Sequence, residues 1–139
     1  RAHKRIGYGH LYQGRFKSFP VESDDHFYTV VRYVERNALR ANLVETAASW
    51  RWGSLSRRVH QFRSPLLAAW PLAEPGQWPK LVNQRQTEAE AEAIRRCVQR
   101  GSPFGGEAWV EQTAKALDLE STLRPRGRPR NDKNFSLCA

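Results

Sequence analysis

Tyr33 and Asn37 are the residues whose types and spacing could carry out chemistry on a phosphodiester. They are four positions apart, so in a helix they lie on the same side, one turn above the other. A tyrosine hydroxyl can attack phosphorus when packing fixes its ring, and an amide oxygen nearby can help to coordinate a divalent cation. The spacing alone favours a simpler interpretation, a boundary aromatic residue followed by a helix-capping asparagine.

The helix that would position this pair is predicted to begin near Asp25, after a capping and acidic segment at residues 23–25. Its buried face is predicted from apolar residues at helical spacing, which are Phe27, Val30, Val31 and Val34. Tyr33 and Asn37 flank that face. Beyond Asn37 the helix either continues or restarts after a turn, and the pattern does not decide between the two.

The other elements are predicted from turn and capping signals. Residues 10–22 are expected to form a strand that Gly14 interrupts and Pro20 ends, and Trp50, Trp52 and Leu55 are expected to pack back onto the core. Four prolines between positions 64 and 79 indicate a linker. Two further helices are predicted. The inner residues of the first, from Thr87 to Gly101, are Ala91, Ile94 and Val98, and those of the second, about 106–117, are Trp109, Val110, Thr113, Ala114 and Leu117.

Charge divides the chain into two basic zones with an acidic stretch between them. The 139 residues carry a formal net charge of +9, of which +7 lies in residues 1–64, −2 in 65–123 and +4 in 124–133. Such an excess attracts polyanions through counterion release, and nucleic acid is the commonest of these. A solubilising surface is an equally good explanation of the charge taken alone.

Three segments together resemble the second half of the REP-associated tyrosine transposase domain. They are GHLYQGRFKS at 9–18, RYVERNALRA at 32–41 and WRWGSL at 50–55. The similarity covers about residues 1–58, and the order and spacing of the segments make it more specific than any single motif. The remainder resembles the C-terminal extension that some members carry.

The resemblance implies a ferredoxin-like α+β domain that cleaves and joins single-stranded DNA beside palindromic repeats through a tyrosine–5′-phosphate intermediate. By that match Tyr33 is the nucleophile, and Asn37 could complete a Mg²⁺ or Mn²⁺ site. Ala38 stands where the family pattern has proline. The family's metal-binding His-hydrophobic-His motif is absent, because the four histidines of this chain form no such pair.

Without that pair no metal would polarise the scissile phosphate, and a tyrosine with a pKa of about 10 is a weak nucleophile at neutral pH. We therefore expect that the chain alone binds no metal and does not cleave DNA. His10 could substitute as a ligand, but a lone histidine is more often structural. A nuclease completed by a partner chain and a non-catalytic binder of hairpin DNA or structured RNA are the alternatives.

The sequence predicts two DNA-binding regions. The first combines cations and aromatic rings suited to phosphates and unpaired bases, and its predicted contacts are Tyr12, Arg15, Lys17, Arg36 and Arg40. The second is the tail, where Arg-Gly-Arg between prolines matches an AT-hook core for the minor groove, with Arg126, Gly127, Arg128 and Arg130 as contacts. The helical pair could be a helix-turn-helix, but its acidic outer face favours a packing or dimer role.

These inferences combine into one predicted organisation. Residues 1–63 form the incomplete ferredoxin-like part, a strand or hairpin plus a long helix, and 64–85 form the linker. Residues 86–123 form the helical extension, and 124–139 form a tail that is disordered when free. The start at Arg1 and the lack of methionine indicate missing upstream sequence. The absence of an apolar run, together with two distant cysteines, predicts a cytoplasmic protein without membrane contact. The resemblance implies that the protein is bacterial and nucleoid-associated with DNA as its partner, and a homodimer is an open alternative.

Overall fold

The computed structural model describes residues 16–61, 67–125 and 127, and this part of the chain is mostly helical. The α-helices are α1 (Asp25–Glu35), α2 (Asn37–Arg40), α3 (Ser54–Val59), α4 (Trp78–Asn83), α5 (Glu88–Arg100), α6 (Glu107–Ala116) and α7 (Glu120–Leu123), with a 3₁₀ turn at Ala47–Ser49. The long first helix and the later helical pair are confirmed.

The strand predicted over residues 10–22 is not formed in its described part, residues 16–22. The only β feature among the described residues is an isolated parallel bridge between Val21 and Phe104. Glu22 N donates to Phe104 O at 3.0 Å, and Phe104 N donates to Pro20 O at 2.9 Å. Phe16 is 93% exposed, so this apolar side chain does not pack on a sheet within the described residues.

Helix α1 begins where the capping signal predicts. The Asp24 side chain accepts from the backbone N–H of His26 at 2.8 Å. That bond holds the pKa of the Asp24 carboxyl below its ordinary value. At its other end α1 stops at Glu35, and α2 restarts at Asn37, so a single residue, Arg36, separates the two helices. The restart after a turn is therefore the correct alternative.

The buried face of α1 differs from the predicted one. Val34 was expected in the core but is 60% exposed, whereas Tyr28 and Val31 pack against the core and Glu35 is buried. The observed stripe is rotated by roughly 80° from the predicted one about the helix axis. The reason is that the core seats a polar residue, Glu35, which an apolar periodicity cannot detect.

The centre of the core comes from α3, α4 and the 3₁₀ turn. Trp78 and Val82 are fully buried, together with Leu55 and Ala47. Trp70 packs edge-on against Trp78 with ring centroids 5.0 Å apart. The predicted linker, residues 64–85, thus supplies Trp78, the largest fully buried side chain among the described residues. The prolines of this segment do not prevent that packing. Pro79 lies in the first turn of α4, where a missing N–H breaks no helical hydrogen bond.

Glu35 is the polar centre of this packing. Its carboxylate accepts from Trp78 Nε1 at 2.7 Å and from Ser54 Oγ at 2.6 Å. Arg58 Nε lies 3.9 Å from the same carboxylate. These partners come from α4 and α3, so one buried acid on α1 connects three helices, and its hydrogen bonds compensate for its removal from water.

The helical pair forms as predicted, except at its end. A capping box links Thr87 and Glu90, and Gly101 ends α5 in the left-handed region at φ 71°. Ala91 and Ile94 are buried, and so is Cys97, which the predicted stripe omitted. Leu117, predicted to face inward, is 54% exposed, because α6 ends at Ala116 and the chain turns away at Asp118, where φ is 55°.

No helix in the described ranges is both long enough and apolar enough to cross a lipid bilayer.

Candidate nucleic-acid interface

Tyr33 is half-buried and lies between two arginine side chains. The guanidinium carbon of Arg40 sits 4.2 Å from the centroid of the tyrosine ring. Arg95, from α5, interacts with the tyrosine hydroxyl and forms an ion pair with Glu88 at 2.5 Å. The pKa of Arg95 is raised, first by Glu88 and then by Tyr33. The ring is therefore fixed by packing while its hydroxyl faces positive charge.

Further arginines surround this pair, and we call the five together the arginine cluster: Arg32, Arg36, Arg40, Arg85 and Arg95. Arg36 is close enough to three of them for their charges to lower its pKa, although its partial burial lowers it more. Arg40 and Arg85 lower the pKa of Glu88 as well, after the larger effect of Arg95. Glu88 is thus one acid that faces three members of the five-arginine cluster.

Two members of the arginine cluster are held by backbone carbonyls at the end of α4. Arg36 Nη1 donates to the carbonyls of Val82 and Asn83 at 3.2 and 2.7 Å. Arg32 Nη2 donates to the carbonyls of Gln84 and Arg85 at 2.9 and 3.0 Å. The last carbonyls of a helix have no intrahelical partner, so these bonds both cap α4 and fix two cations in place.

Asn37, the predicted metal ligand, already has a cationic partner. Its Oδ1 accepts from Arg40 Nη2 at 2.9 Å. A metal ion bound there would have to displace that guanidinium. The interaction instead orients Arg40 over the ring of Tyr33, so in this structure Asn37 positions a cation rather than presenting a free oxygen.

Among the described residues, one group has the side chains to hold a metal ion, and it lies on another part of the chain. It consists of Glu22, Asp24 and His26. Each of its acids already has a structural role, since Asp24 caps α1 and Glu22 Oε2 accepts from the backbone N–H of Gly106 at 2.7 Å. The group does not include Tyr33 or Asn37, so it does not complete the predicted site.

A cavity of about 340 Å³ is also lined by Asn37. Its walls are the exposed side chains of Val34, Leu43 and Trp52, and its other lining includes Ala38 and Ala41. Val34, which was predicted to be buried on α1, lines this cavity instead.

The predicted site residues divide by where they fall. Tyr33, Asn37, Arg36 and Arg40 come together, and Lys17 is exposed. Gly127 is described and exposed, with φ 148°. The remaining predicted residues lie outside the described ranges, and they are His10, Tyr12, Arg15, Arg126, Arg128 and Arg130.

Sequence reasoning missed three members of the arginine cluster. Arg32 could have been found, because it precedes Arg36 and Arg40 by four and eight positions and so continues their stripe. Arg85 and Arg95 carry no local signal, because only the packing of α4 and α5 against α1 brings them into the cluster.

Comparison with known proteins found no matching family model, no similar curated protein and no similar solved structure.

Proposed function

We propose that this chain binds single-stranded DNA beside hairpin repeats through the arginine cluster, as the DNA-binding part of a transposase of the REP-associated tyrosine type. The observation that carries the proposal is the guanidinium of Arg40, which Asn37 orients over the Tyr33 ring, with Arg95 close enough to interact with the same tyrosine. A phosphate that approaches Tyr33 would meet both guanidiniums. Arginine presents several N–H donors in a planar fork that matches phosphate oxygens.

The geometry favours a single strand over a fully paired duplex. Tyr33 is part of a fixed surface, so the strand must bend its backbone toward the hydroxyl, and unpaired nucleotides do so more readily than a duplex. Arg32 and Arg36 are held by carbonyls and would contribute a fixed positive field, whereas Arg40, over the Tyr33 ring, and Arg95 would make the direct contacts.

Cleavage is a separate step, and we propose that this chain alone does not perform it. Attack by Tyr33 on phosphorus requires loss of the phenolic proton and neutralisation of charge on the phosphate oxygens, for which the family uses Mg²⁺ or Mn²⁺. Asn37 is engaged by Arg40, so its fit to such a metal is poor unless Arg40 moves. The ion would have to be bound by histidines on a complete ferredoxin-like sheet. Those histidines would come from upstream sequence or from a partner chain.

Binding is tested by fluorescence anisotropy with a labelled hairpin that carries single-stranded flanks, over a range of salt concentrations. Arg40→Ala is expected to weaken binding about tenfold and to reduce the salt slope by about one phosphate contact. Lys115→Ala removes one exposed charge from α6 and is the matched control. If both variants lost the same modest affinity, binding would depend on the total positive charge of the protein and not on the arginine cluster.

The alternative, a non-catalytic nucleic-acid binder, is separated by Tyr33→Phe. The assay contains labelled hairpin DNA, Mn²⁺ and the upstream half of the transposase domain supplied as a separate chain. The transposase proposal predicts that the DNA label becomes covalently attached to the unaltered protein and not to Tyr33→Phe. Covalent label on the unaltered protein without the upstream half would contradict the proposed inactivity. Equal behaviour of both proteins in every assay would favour the binder.

A further inference from the structure

The cavity beside Asn37 has features of a binding site as well as exposed apolar walls. Its volume is about 340 Å³, which is at the lower end of the roughly 300–1,000 Å³ typical of sites for small organic groups. Val34, Leu43 and Trp52 are each at least 60% exposed, so these apolar surfaces face water. Exposed apolar surface gathered in one concave place commonly marks a site of interaction.

Trp52 gives the cavity a flat aromatic wall that already stacks on a cation. The guanidinium carbon of Arg51 lies 4.1 Å from the centroid of the Trp52 ring. The backbone beneath is fixed, since Gly53 N donates to Trp50 O at 2.9 Å and closes a turn. An exposed aromatic ring beside a cation is the arrangement that single-stranded nucleic-acid sites use, the ring for the base and the cation for the phosphate.

The cavity is also continuous with the arginine cluster. Asn37 lines the cavity, and its Oδ1 accepts from Arg40, the arginine that covers Tyr33. A strand whose phosphate lies at Arg40 therefore has its neighbouring nucleotide within reach of the cavity mouth. The positive charge of the arginine cluster thus favours a polyanion as the ligand. The flat apolar wall formed by Trp52 favours a polyanion with unpaired aromatic bases.

We propose that this cavity receives one unpaired base of the bound DNA strand, stacked on Trp52, with Arg51 at the adjoining phosphate. The inference rests on the proposed function, because it names a base subsite next to the phosphate site. The polar side chains that line the cavity are Asn37, Ser54 and Glu35, and the Glu35 carboxylate is already engaged by Ser54 and Trp78. Because Ser54 Oγ donates to the buried Glu35, its remaining capacity toward a base is as an acceptor.

The test compares binding of two strands of equal length and charge, one of thymidines and one with an abasic stretch. The unaltered protein should bind the thymidine strand about 5- to 100-fold more tightly, the range that stacking of a single base gives. Trp52→Ala should remove this preference, and Trp52→Phe should restore part of it. Ala41→Phe, which fills the cavity and leaves Trp52 in place, should also remove it.

Leu117→Ala is the control, since it removes an exposed apolar side chain just after the end of α6, outside the cavity lining. Circular dichroism and gel filtration of every variant accompany the binding measurements. The subsite is refuted if Trp52→Ala keeps the full preference or if the unaltered protein does not distinguish the two strands. It is also refuted if Trp52→Ala only turns a dimer into a monomer, because the cavity would then face a second copy.

The two proposals fail differently. If Arg40→Ala weakens binding to both strands alike while Trp52→Ala changes nothing, the base subsite is wrong and the phosphate site stands. If neither variant weakens binding, both proposals are wrong.

Discussion

The Glu35 carboxylate has a structural role in the fold, and it is too buried for a function that needs contact with solvent. It is 6% exposed and accepts hydrogen bonds from Trp78 and Ser54 on other helices. A buried hydrogen-bonded acid stabilises less than its contacts suggest, because its desolvation offsets much of the gain, but loss of the acid leaves its donors unsatisfied. The stability of the chain should therefore be sensitive to this one side chain.

Glu35→Ala is expected to lower the free energy of unfolding by about 3 kcal/mol, because the indole N–H of Trp78 and the Ser54 hydroxyl lose their acceptor in a closed core. Urea titration followed by tryptophan fluorescence measures this change. Glu92→Ala, at an exposed position of α5, should stay within about 0.5 kcal/mol of the unaltered protein. A Glu35→Ala protein as stable as the control would show that water satisfies those donors.

At the scale of the elements, arginine side chains join α1 to α4. Arg32, in α1, and Arg36, which directly follows α1, donate to backbone carbonyls at the end of α4. Arg36 caps α4, whereas Arg40, one turn further along, covers Tyr33. Neighbouring arginines on one stripe therefore have different tasks. The sequence predicted DNA contact for both, and it could not separate them because α4 is distant along the chain.

Arg36→Lys should separate charge from capping. Lysine keeps the positive charge but lacks the rigid planar guanidinium that holds both N–H groups of Nη1 toward the two carbonyls, so we expect a loss of about 1 kcal/mol in stability with single-strand affinity within about twofold. Urea unfolding and anisotropy on the same samples measure the two effects. A large loss of affinity with unchanged stability would instead make Arg36 a direct contact of the strand.

Local signals predicted the elements well where they were strong. The capping box at Thr87 and the glycine at 101 placed α5, and the aspartate before residue 25 placed the start of α1. The face of α1 and the residues around Tyr33 could not be predicted, since both depend on which helices pack there. The tryptophan at 78 shows the same limit, because proline-rich sequence hides a buried anchor whose position is set by the fold.

At the scale of the whole molecule, basic charge lies in two places separated along the chain by an acidic stretch. The arginine cluster belongs to the first zone with help from Arg85 and Arg95, and the tail forms the second. If the tail acts as an AT-hook, the two zones read different forms of DNA, one a flexible strand and the other the minor groove of a duplex.

Arg126→Ala combined with Arg128→Ala is expected to weaken binding to an A·T-rich duplex about tenfold, because both side chains would leave the narrow groove. Binding to a G·C-rich duplex should fall less, since the guanine amino group already obstructs that groove. Anisotropy with the two duplexes measures the difference. Equal losses on both would reduce the tail to a nonspecific basic segment.

The bridge between Val21 and Phe104, with the bond from Gly106 to Glu22, ties the start of the described chain to the turn between α5 and α6. The chain between these contacts, which includes helices α1 to α5, is thereby closed into a loop of more than eighty residues. Loosening of the chain at one end of this loop should loosen the other end as well. We therefore anticipate a single cooperative melting transition, in which amide protons at both ends of the loop become exchangeable together.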